Sequence, residues 1–384
     1  MEEKYLVDIC NPKQWKTIPK SELIEDGEFP VYGANGIIGR YNKYNHEKPT
    51  VLITCRGATC GNIHITVPQS YINGNAMSLD DLNESKCKKE YLYYFLKYYD
   101  LSKIISGTAQ PQITINGLKK VKVKLYSIEK QEKIVDELNK INKVISLKKN
   151  QLEELSSFIK SQFVEMFGIP FLNNKNWTMG IIKELVREVK YGTSKPANGG
   201  KYKYLRMNNI TYEGKLDLNE IKYIDIEKDD KEKYVTKKGD ILFNRTNSKE
   251  LVGKTCVFDV EEEMIIAGFI IRVRVNDFAN PYFISEYLNT VYLKDKLRNM
   301  CKDASGQSNI NAKELQNIKI YIPPITLQNQ FSEIVKQIDK QKFESMIQLD
   351  KENRIVLINI IKDTLEETNI IYEFLLRKYF EKGK

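Results

Sequence analysis

The sequence predicts an α+β chain in which two pseudo-repeated domains of mixed α and β structure are separated by two long coiled-coil helices. Three observations lead to this fold class. The 384 residues are too many for one ordinary domain. A heptad pattern runs from Ile128 to Phe167, and the segment around it occurs a second time. The expected order is a domain at 1–127, a helix at 128–167, a domain at 168–324 and a helix at 325–384.

The first long helix is indicated by apolar residues that alternate spacings of four and three, which is typical of a coiled-coil seam. Lys148 and Gln162 are polar breaks in the seam, and Gly168 followed by Pro170 predicts the helix end. At about 1.5 Å per residue the rod would be roughly 60 Å long. A core helix can carry the same stripe, but the second copy favours a spacer. The apolar residues that mark this helix are Ile134, Leu138, Ile141, Ile145, Leu152, Leu155, Ile159 and Phe163.

The repeat is visible where each long helix begins. The matched pairs are Ile128 with Ile325, Gln131 with Gln328 and Ile134 with Phe331, each pair 197 positions apart (325 − 128 = 328 − 131 = 331 − 134). A second match aligns Trp15 with Trp177 at a smaller offset, so the second copy is longer between the two anchors. The two copies match at their ends and differ in the segments between, which indicates one scaffold that carries two different binding surfaces.

The net charge of +9 resides on the two globular segments. Residues 1–127 carry 17 basic and 13 acidic side chains, and residues 168–324 carry 26 and 21, whereas both helical segments are neutral. Two basic segments joined by neutral helices favour a polyanion bound at two places. The excess of Lys over Arg, with abundant Ile, Asn and Tyr, is also typical of an AT-rich gene, so charge alone does not decide between these explanations.

The sequence gives little support to a metal site, a membrane protein or an enzyme. The six cysteines contain no CxxC pair, and we expect no metal site from Cys55, Cys60 and the two histidines. No apolar run approaches the ~20 residues of a membrane span, and the charged start predicts no signal peptide, so we expect a cytoplasmic protein without membrane contact. Pro323-Pro324 lacks the preceding amide or carboxylate that a base-flipping adenine methyltransferase loop needs. We therefore predict no catalytic residue in this chain.

The first domain offers its candidate contacts in three polar segments. The glycine-rich segment 29–41 contains Tyr32, Asn35 and Arg40. Arg56 follows an apolar run that predicts a buried strand, and Gln110 lies in the polar loop 106–112. Neither GxxxxGK[ST] nor GxGxxG occurs, so these segments do not predict a nucleotide-binding loop.

The second domain has three similar clusters, in which Arg and Asn side chains offer the bidentate groups that read guanine and adenine edges. Each cluster follows or opens a predicted strand, and a solvated loop is the alternative explanation for any one of them. The candidate residues are Lys195, Arg206, Asn208, Asn244, Arg245 and Asn247.

In combination, four segments resemble the specificity (S) subunit of type I restriction-modification systems, and the likeness extends over essentially the whole chain. These segments are Phe-Pro-Val-Tyr-Gly-Ala-Asn-Gly-Ile-Ile-Gly at 29–39, Tyr-Gly-Thr-Ser-Lys at 191–195, Gly-Asp-Ile-Leu-Phe-Asn-Arg-Thr-Asn-Ser at 239–248 and Ser-Gln-Phe-Val-Glu-Met-Phe-Gly at 161–168.

The resemblance implies two target recognition domains, each reading one half of a bipartite sequence in double-stranded DNA, held apart by two antiparallel helices. It implies that two modification subunits dock on the helices and carry S-adenosylmethionine and adenine N6-methylation chemistry. A restriction subunit would add ATP- and Mg-dependent translocation and cleavage. This chain itself would hold no cofactor.

The second helix departs from the first, because Lys342 and Glu352 stand where Ile145 and Leu155 stand in the first copy. A different class of function also fits the pattern, namely a coiled-coil adaptor whose globular domains bind proteins. Salt-dependent binding to duplex DNA would separate the two, since neutralising phosphates releases counterions.

Overall fold

The computed structural model describes residues 2–34, 36–107, 110–304 and 307–364. The chain forms two compact units. The first comprises residues 1–147 and 349–384, and the second comprises residues 148–348. Each long helix thus contributes residues to both units, whereas the sequence led us to expect helices separate from the domains.

The first unit combines eleven short strands with two helices and the start of the first long helix. Its strands are β1 (Glu2–Tyr5), β2 (Asn11–Gln14), β3 (Phe29–Gly33), β4 (Gly36–Tyr41), β5 (Val51–Thr54), β6 (Ile63–Ile65), β7 (Tyr71–Ile72), β8 (Ala76–Asp80), β9 (Ile105–Ser106), β10 (Gln112–Ile113) and β11 (Lys122–Leu125). Its helices are α1 (Lys89–Tyr98), α2 (Ile115–Leu118), the beginning of α3 (Ile128–Phe167) and the 3₁₀ turns Leu6–Asp8, Lys20–Glu22 and Leu101–Ile104.

Two sheets organise the first unit. One is antiparallel with the order β2-β8-β5-β6, and the other has the order β4-β3-β7 with β3 and β7 parallel. Helix α1 packs on β5 and β6. Its Leu92 and Leu96 are fully buried, and they share a core with Val135 and the partly buried Ile134 and Leu138 of α3. The start of the long helix is therefore part of the first unit's core.

The second unit contains twelve strands and the remaining helices. Its strands are β12 (Thr178–Ile181), β13 (Val186–Tyr191), β14 (Tyr202–Leu205), β15 (Lys222–Ile224), β16 (Asp240–Asn244), β17 (Thr246–Asn247), β18 (Thr255–Phe258), β19 (Ile265–Ile266), β20 (Ile270–Val275), β21 (Lys302–Ala304), β22 (Gln307–Asn309) and β23 (Lys319–Ile322). Its helices are α4 (Lys228–Tyr234), α5 (Pro281–Asn289), α6 (Val291–Met300), α7 (Ala312–Gln316), most of the described part of α8 (Ile325–Thr364) and the 3₁₀ turns Ile182–Leu185 and Met207–Asn209.

The second unit repeats the strand plan of the first. Its main sheet is antiparallel with the order β13-β20-β16-β18, and its smaller sheet is ordered β15-β14-β19 with β14 and β19 parallel. In both units the first strand pairs with the last, β1 with β11 and β12 with β23. Both units are thus mixed α and β structures built on one topology.

A buried glutamine fixes the start of each long helix. Gln131 and Gln328 are both fully buried. The amide of Gln131 donates to the carbonyls of Lys86 (2.8 Å) and Tyr126 (2.9 Å) and accepts from the N–H of Lys88 (2.8 Å). The amide of Gln328 makes the equivalent bonds to Phe278, Pro323 and Asn280 at 3.2, 2.8 and 2.9 Å. The repeat recognised at these two residues in the sequence therefore has a physical basis.

The tryptophan alignment is wrong. Trp15 follows β2, whereas Trp177 precedes β12. The indole N–H of Trp15 donates to Ser78 Oγ in the first unit, and that of Trp177 donates to the carbonyl of Phe167, the last residue of α3. The equivalent pair is instead Leu6 and Ile182, whose N–H groups donate to Val121 and Ile318 at 2.9 and 3.0 Å.

Within the second unit the end of α3 and the start of α8 pack antiparallel. The rings of Phe163 and Phe167 each lie 5.5 Å from the ring of Phe331, and Lys342 Nζ donates to Ser156 Oγ at 2.8 Å. As α3 runs back from Phe167 to Ser156, α8 therefore runs forward from Phe331 to Lys342.

The seam side chains, by which we identified the helices expected to dock the modification subunits, pack inside the chain. Ile159 and Phe163 are buried in the core of the second unit, and Leu155 packs against that core. Ile134 and Leu138 pack on the first core. The remaining seam residues, Ile141, Ile145 and Leu152, are partly buried. Gly168 ends the helix with a positive φ of 83°, as the sequence predicts.

Candidate nucleic-acid interface

Strand direction gathers the candidate loops at one edge of each main sheet. β2 and β5 both run antiparallel to β8, so their carboxyl ends, Gln14 and Thr54, lie at the same edge. β13 and β16 likewise run antiparallel to β20, and they end at Tyr191 and Asn244. We call these the first loop edge (residues 54–59 and 110–113) and the second loop edge (residues 191–195, 244–248, 268–269 and 308–312). Such loops on a rigid sheet are where binding residues commonly lie.

The first loop edge is tied to the tip of the β3–β4 hairpin. The hydroxyls of Thr54 and Thr59 donate to the carbonyl of Ala34 at 2.9 and 2.8 Å. The 110–113 segment joins through two backbone bonds, from Gly57 N to Pro111 O (3.2 Å) and from Ile113 N to Cys55 O (3.0 Å). The structure thus brings together three segments that the sequence predicted as candidates, namely the β3–β4 hairpin, residues 54–59 and residues 110–113.

Arg56 and Gln110 are the exposed candidates at the first loop edge. Arg56 forms a backbone bridge with Gln112, which places the residue firmly in the turn. Among the described residues the Arg56 side chain has no hydrogen bond or ion pair. Its guanidinium is therefore available to a ligand.

Tyr32 and Arg40 have structural roles, which corrects their assignment as DNA contacts. Tyr32 is 5% exposed, lies in a small core cluster, and its hydroxyl accepts from the N–H of Val67 at 3.2 Å. The guanidinium of Arg40 donates to the carbonyls of Gly27 and Glu28 and so fastens its own hairpin. Asn35 lies outside the described residues.

Arg245 occupies the centre of the second loop edge. Its backbone N–H donates to Phe269 O and its carbonyl accepts from Ile310 N, both at 2.9 Å. Its guanidinium carbon lies 4.8 Å from the ring centroid of Tyr191. Arg245 Nε is buried and has no hydrogen-bond partner among the described residues. The guanidinium is thus held by a ring face and has free donors.

Asn244 and Asn247 are bound within the loop, which corrects their assignment as base readers. Asn244 is fully buried, and its amide N–H₂ donates to the carbonyls of Thr246 and Phe269, both at 3.3 Å. Its Oδ1 accepts from Asn247 Nδ2 at 3.1 Å, and Asn247 Oδ1 accepts from the N–H of Ser248 at 2.9 Å. These amides shape the loop that presents Arg245.

The other three candidate residues of the second domain differ in how far their side chains are free to bind a ligand. Lys195 lies within 4.0 Å of Glu227 and 3.8 Å of Asp230, in exposed ion pairs that water screens and that a phosphate could replace. Arg206 Nη2 donates to the carbonyl of Glu220 at 2.9 Å, so part of its guanidinium is occupied. Asn208 is exposed.

The 3₁₀ turn that carries Asn208 joins the second loop edge through Lys254. Lys254 Nζ donates to Met207 O at 2.8 Å, and Lys254 O accepts from the N–H of Asn244, also at 2.8 Å.

The two loop edges occupy equivalent positions in the two units but present different side chains. The bond from Ile113 N to Cys55 O in the first corresponds to the bond from Ile310 N to Arg245 O in the second. Arg245 therefore stands where the first unit has buried Cys55, and Thr246 stands where it has Arg56. Both edges offer an arginine, one position apart.

The sequence reasoning missed two aromatic residues at the second loop edge. Tyr191 is 40% exposed and Phe269 is 48% exposed, and both contact Arg245 or its backbone. An aromatic residue beside glycine in a predicted turn, as in Gly268-Phe269, was the available signal. The pairing of Tyr191 with Arg245 follows only from strand order.

The described residues give no support to several other chemistries. No group of three or more His, Cys, Asp or Glu side chains there is arranged to hold a metal ion. None of the described helices has both the length and the apolar character that crossing a membrane requires. Burial raises the pKa of Cys10, Cys87 and Cys256 to about 12, so these thiols stay protonated and unreactive.

Comparison with known proteins gives consistent matches. The family model described as the type I restriction modification DNA specificity domain matches residues 1–157 and 174–353. A putative type I restriction enzyme specificity subunit of Methanocaldococcus jannaschii, MjaX, is 27% identical over 214 residues, covering 54% of this chain and 46% of that protein. The EcoKI specificity subunit of Escherichia coli is 24% identical over 203 residues, covering 52% and 41%. These alignments span about half of each relative or less.

A longer alignment joins the chain to a putative specificity subunit of Haemophilus influenzae, S.HindORF215P, with 25% identity over 340 residues, 85% of this chain and 83% of that protein. The crystal structure of a type I S subunit from M. genitalium shares the fold, with a TM-score of 0.57 at 16% identity over 97% of this chain and 95% of that chain. A structure from work on assembly and conformational transition of the type I system has a TM-score of 0.52 at 16% identity, covering 97% of both chains. With the family model covering most of its residues, the chain belongs to the type I restriction-modification DNA specificity family.

Proposed function

We propose that this chain is the DNA-specificity subunit of a type I restriction-modification complex and that each loop edge reads one half of a bipartite duplex target. The observation that carries the proposal is the state of two arginines. Arg56 and Arg245 lie at equivalent strand ends of the repeats, and among the described residues neither guanidinium has a hydrogen bond or ion pair. Elsewhere Arg40, Arg206 and Arg298 are bound by carbonyls or side chains of this chain. Arg187 is exposed and also unpaired among the described residues, but it lies at the start of β13, whereas the second loop edge lies at the end of that strand.

A free guanidinium at a fixed place suits sequence recognition. Arginine donates two parallel hydrogen bonds to the O6 and N7 atoms of guanine in the major groove, whereas contacts to phosphate carry no sequence information. The backbone bonds of Cys55 and Arg245 to the neighbouring loops hold both edges in one conformation. Preorganised loops of this kind lose little entropy on binding.

The difference between the loop edges supports two unlike half-sites. The first presents Arg56 beside exposed Gln110, and the second presents Arg245 beside Tyr191 and Phe269. One topology with two sets of donors would read two different sequences.

We further propose that the long helices act as a spacer whose length sets the unread gap between the half-sites. Helix α3 packs on the core of the first unit near its start, at Ile134, and lies in the core of the second unit near its end, at Phe163 and Phe167. An unbroken helix anchored in this way has little freedom to change its length.

The proposed protein partners are two modification subunits, joined in some assemblies by restriction subunits. Their docking surface would be the outward side of the helices, because the seam faces inward. In the second unit α3 exposes Phe158 (48%) and Val164 (43%), and α8 exposes Phe343 (60%) and Met346 (49%). Such exposed apolar side chains favour a protein contact. S-adenosylmethionine would belong to the modification subunits, and ATP and Mg to the restriction subunits.

Sequencing of methylated adenines in the host, with and without this gene, tests the proposal. Deletion should abolish modification at one motif that has two defined parts and an unread gap. Loss of a continuous motif, or no loss at all, would count against the proposal. The assembled complex should also bind duplex DNA with an affinity that falls as the salt concentration rises, whereas the adaptor alternative predicts no such salt-dependent binding.

A further inference from the structure

We infer that Tyr191 is a positioning residue for Arg245 and that the two together select a guanine in the half-site read by the second unit. The inference rests on the proposed function and adds to it a residue and a base. It concerns one side-chain pair, so it can fail while the proposed function stands.

The guanidinium of Arg245 is held by a ring face alone. Its central carbon lies 4.8 Å from the ring centroid of Tyr191, within the range of an attractive cation–π contact. Arg245 Nε is buried without an acceptor in the described part of the chain. A buried donor without a partner is unfavourable, so the stacking contact is what keeps the guanidinium in this place.

Tyr191 is a rigid support because it is fixed at both ends. Its backbone is the last residue of β13 and pairs with Ile271 of β20. Its hydroxyl accepts a hydrogen bond from the N–H of Ala312, the first residue of α7, at 2.7 Å. A ring fixed at its backbone and at its hydroxyl has little rotational freedom.

The first unit lacks this support. Gln14 pairs with Met77 at the position where Tyr191 pairs with Ile271. The amide of Gln14 lies 3.8 Å from Cys55 Sγ, and Cys55 is the residue that stands in Arg245's place. The Tyr191–Arg245 pair is thus a feature of the second unit alone, at a position where the fold accepts glutamine.

Orientation determines what an arginine reads. A guanidinium held in one plane can direct two donors at the O6 and N7 atoms of one guanine, a pattern that no other base presents. A mobile guanidinium contacts the nearest phosphate as easily, and this contact is insensitive to sequence. Tyr191 should therefore contribute to discrimination between base pairs more than to overall affinity.

The experiment uses the complex of this chain with its modification subunits. Each base pair of the second half-site is changed in turn, and methylation rates give a discrimination ratio for Arg245→Ala, Tyr191→Gln and Tyr191→Phe. Tyr191→Gln installs the residue found at the equivalent position of the first unit, and Tyr191→Phe keeps the ring.

We expect Arg245→Ala to lose discrimination at one G·C pair. Tyr191→Gln should lower the discrimination ratio at the same pair by roughly three- to tenfold, the range of a cation–π contact. Tyr191→Phe keeps the ring face and the backbone anchor and loses only the hydroxyl bond to Ala312, so its ratio should lie between those of Tyr191→Gln and the wild type, within about twofold of the wild type. Discrimination at the first half-site should be unchanged in all three variants.

Three results would overturn the inference. Tyr191→Gln could keep full discrimination while Arg245→Ala loses it, it could slow methylation of every half-site sequence alike, or the affected pair could be A·T. Unchanged discrimination in Arg245→Ala would instead remove Arg245 from the reading surface, and so contradict the proposed placement. If Tyr191→Gln does not fold, Tyr191→Leu provides the same comparison.

Discussion

Among the described residues, arginine side chains divide into those bound by partners within the fold and those left without a partner. Arg272 is 1% exposed, and it contacts Glu188 and the carbonyl of Val235. Arg274 donates from Nε to Asp240 Oδ1 at 2.8 Å, and Asp240 is itself 3% exposed. A buried charge of this kind is stable only while all of its partners are present. The guanidinium of Arg245, in contrast, keeps N–H donors that have no partner among the described residues.

Replacing Asp240 with Ala should lower the free energy of unfolding of the second unit by about 3–5 kcal/mol, because it removes the carboxylate that lies 2.8 Å from Arg274 Nε and 3.9 Å from the buried Arg272 Nε. Urea titration followed by circular dichroism measures this. The matched control is Glu262→Ala, which removes an exposed ion pair with Lys203 at 2.7 Å and should leave stability essentially unchanged. Equal effects of the two substitutions would contradict the buried network.

His46 and Asp80 form a hydrogen-bonded pair in the first unit. His46 Nε2 contacts Asp80 Oδ1 at 2.9 Å, and His46 Nδ1 contacts Asn45 Oδ1 at 2.7 Å. Burial opposes ionisation of Asp80, but the hydrogen bonds from His46 and Ser78 outweigh it and hold the pKa of Asp80 below its usual 3.8. A lowered carboxyl pKa stabilises the fold above the unfolded-state pKa, and this contribution is lost as the pH falls through the folded-state pKa.

Asp80→Asn should therefore flatten the acid side of the stability profile, below about pH 4. The fluorescence of Trp15 reports this unfolding, since its ring lies edge-on to His46 at 5.1 Å. Trp177→Phe leaves Trp15 as the only tryptophan in both proteins under comparison. Parallel pH profiles for the parent and the Asp80→Asn variant would contradict the assignment.

The long helices illustrate what could be predicted from the sequence at the scale of an element. Heptad spacing and a glycine stop predict α3, and the repeated Ile-x-x-Gln start predicts α8, because these signals are local. The burial of Asn244 and Tyr32 depends on segments distant in the sequence. Their polar or aromatic character alone therefore led us to predict them wrongly as DNA contacts. The alignment of Trp15 with Trp177 was wrong because two residues of the same type need not occupy equivalent positions in the fold.

The two glutamine clamps should be equally important to their units. Gln131→Ala or Gln328→Ala leaves buried backbone groups without partners, which costs about 1–3 kcal/mol each. Thermal or urea unfolding of both variants measures the cost. Gln151→Ala, on the exposed side of α3, is the control and should be neutral. A clamp variant as stable as this control would show that the repeated bonds contribute nothing.

At the scale of the whole molecule, the central claim is that one fold used twice presents unlike readers and that α3 and α8 fix the gap between their half-sites. The sequence predicted the duplication, the helices and the neighbourhood of both arginines. It did not predict the aromatic support of Arg245, because strand order brings Tyr191 there from a separate segment.

Helix α3 has a segment between the residues that pack on the two cores. Leu138 packs on the first core, and Leu155 packs on the second. Residues 144–150 lie between them, and a matching deletion of residues 348–354 removes the same number of residues from α8. Seven residues correspond to about 10 Å of helix, or up to roughly three base pairs.

Sequencing the methylated adenines of a strain that carries this shortened chain is the most direct measurement of the central claim. The account predicts a motif in which both halves are unchanged and the gap between them is smaller. A motif with the original gap, or one in which either half-site has a new sequence, would contradict it.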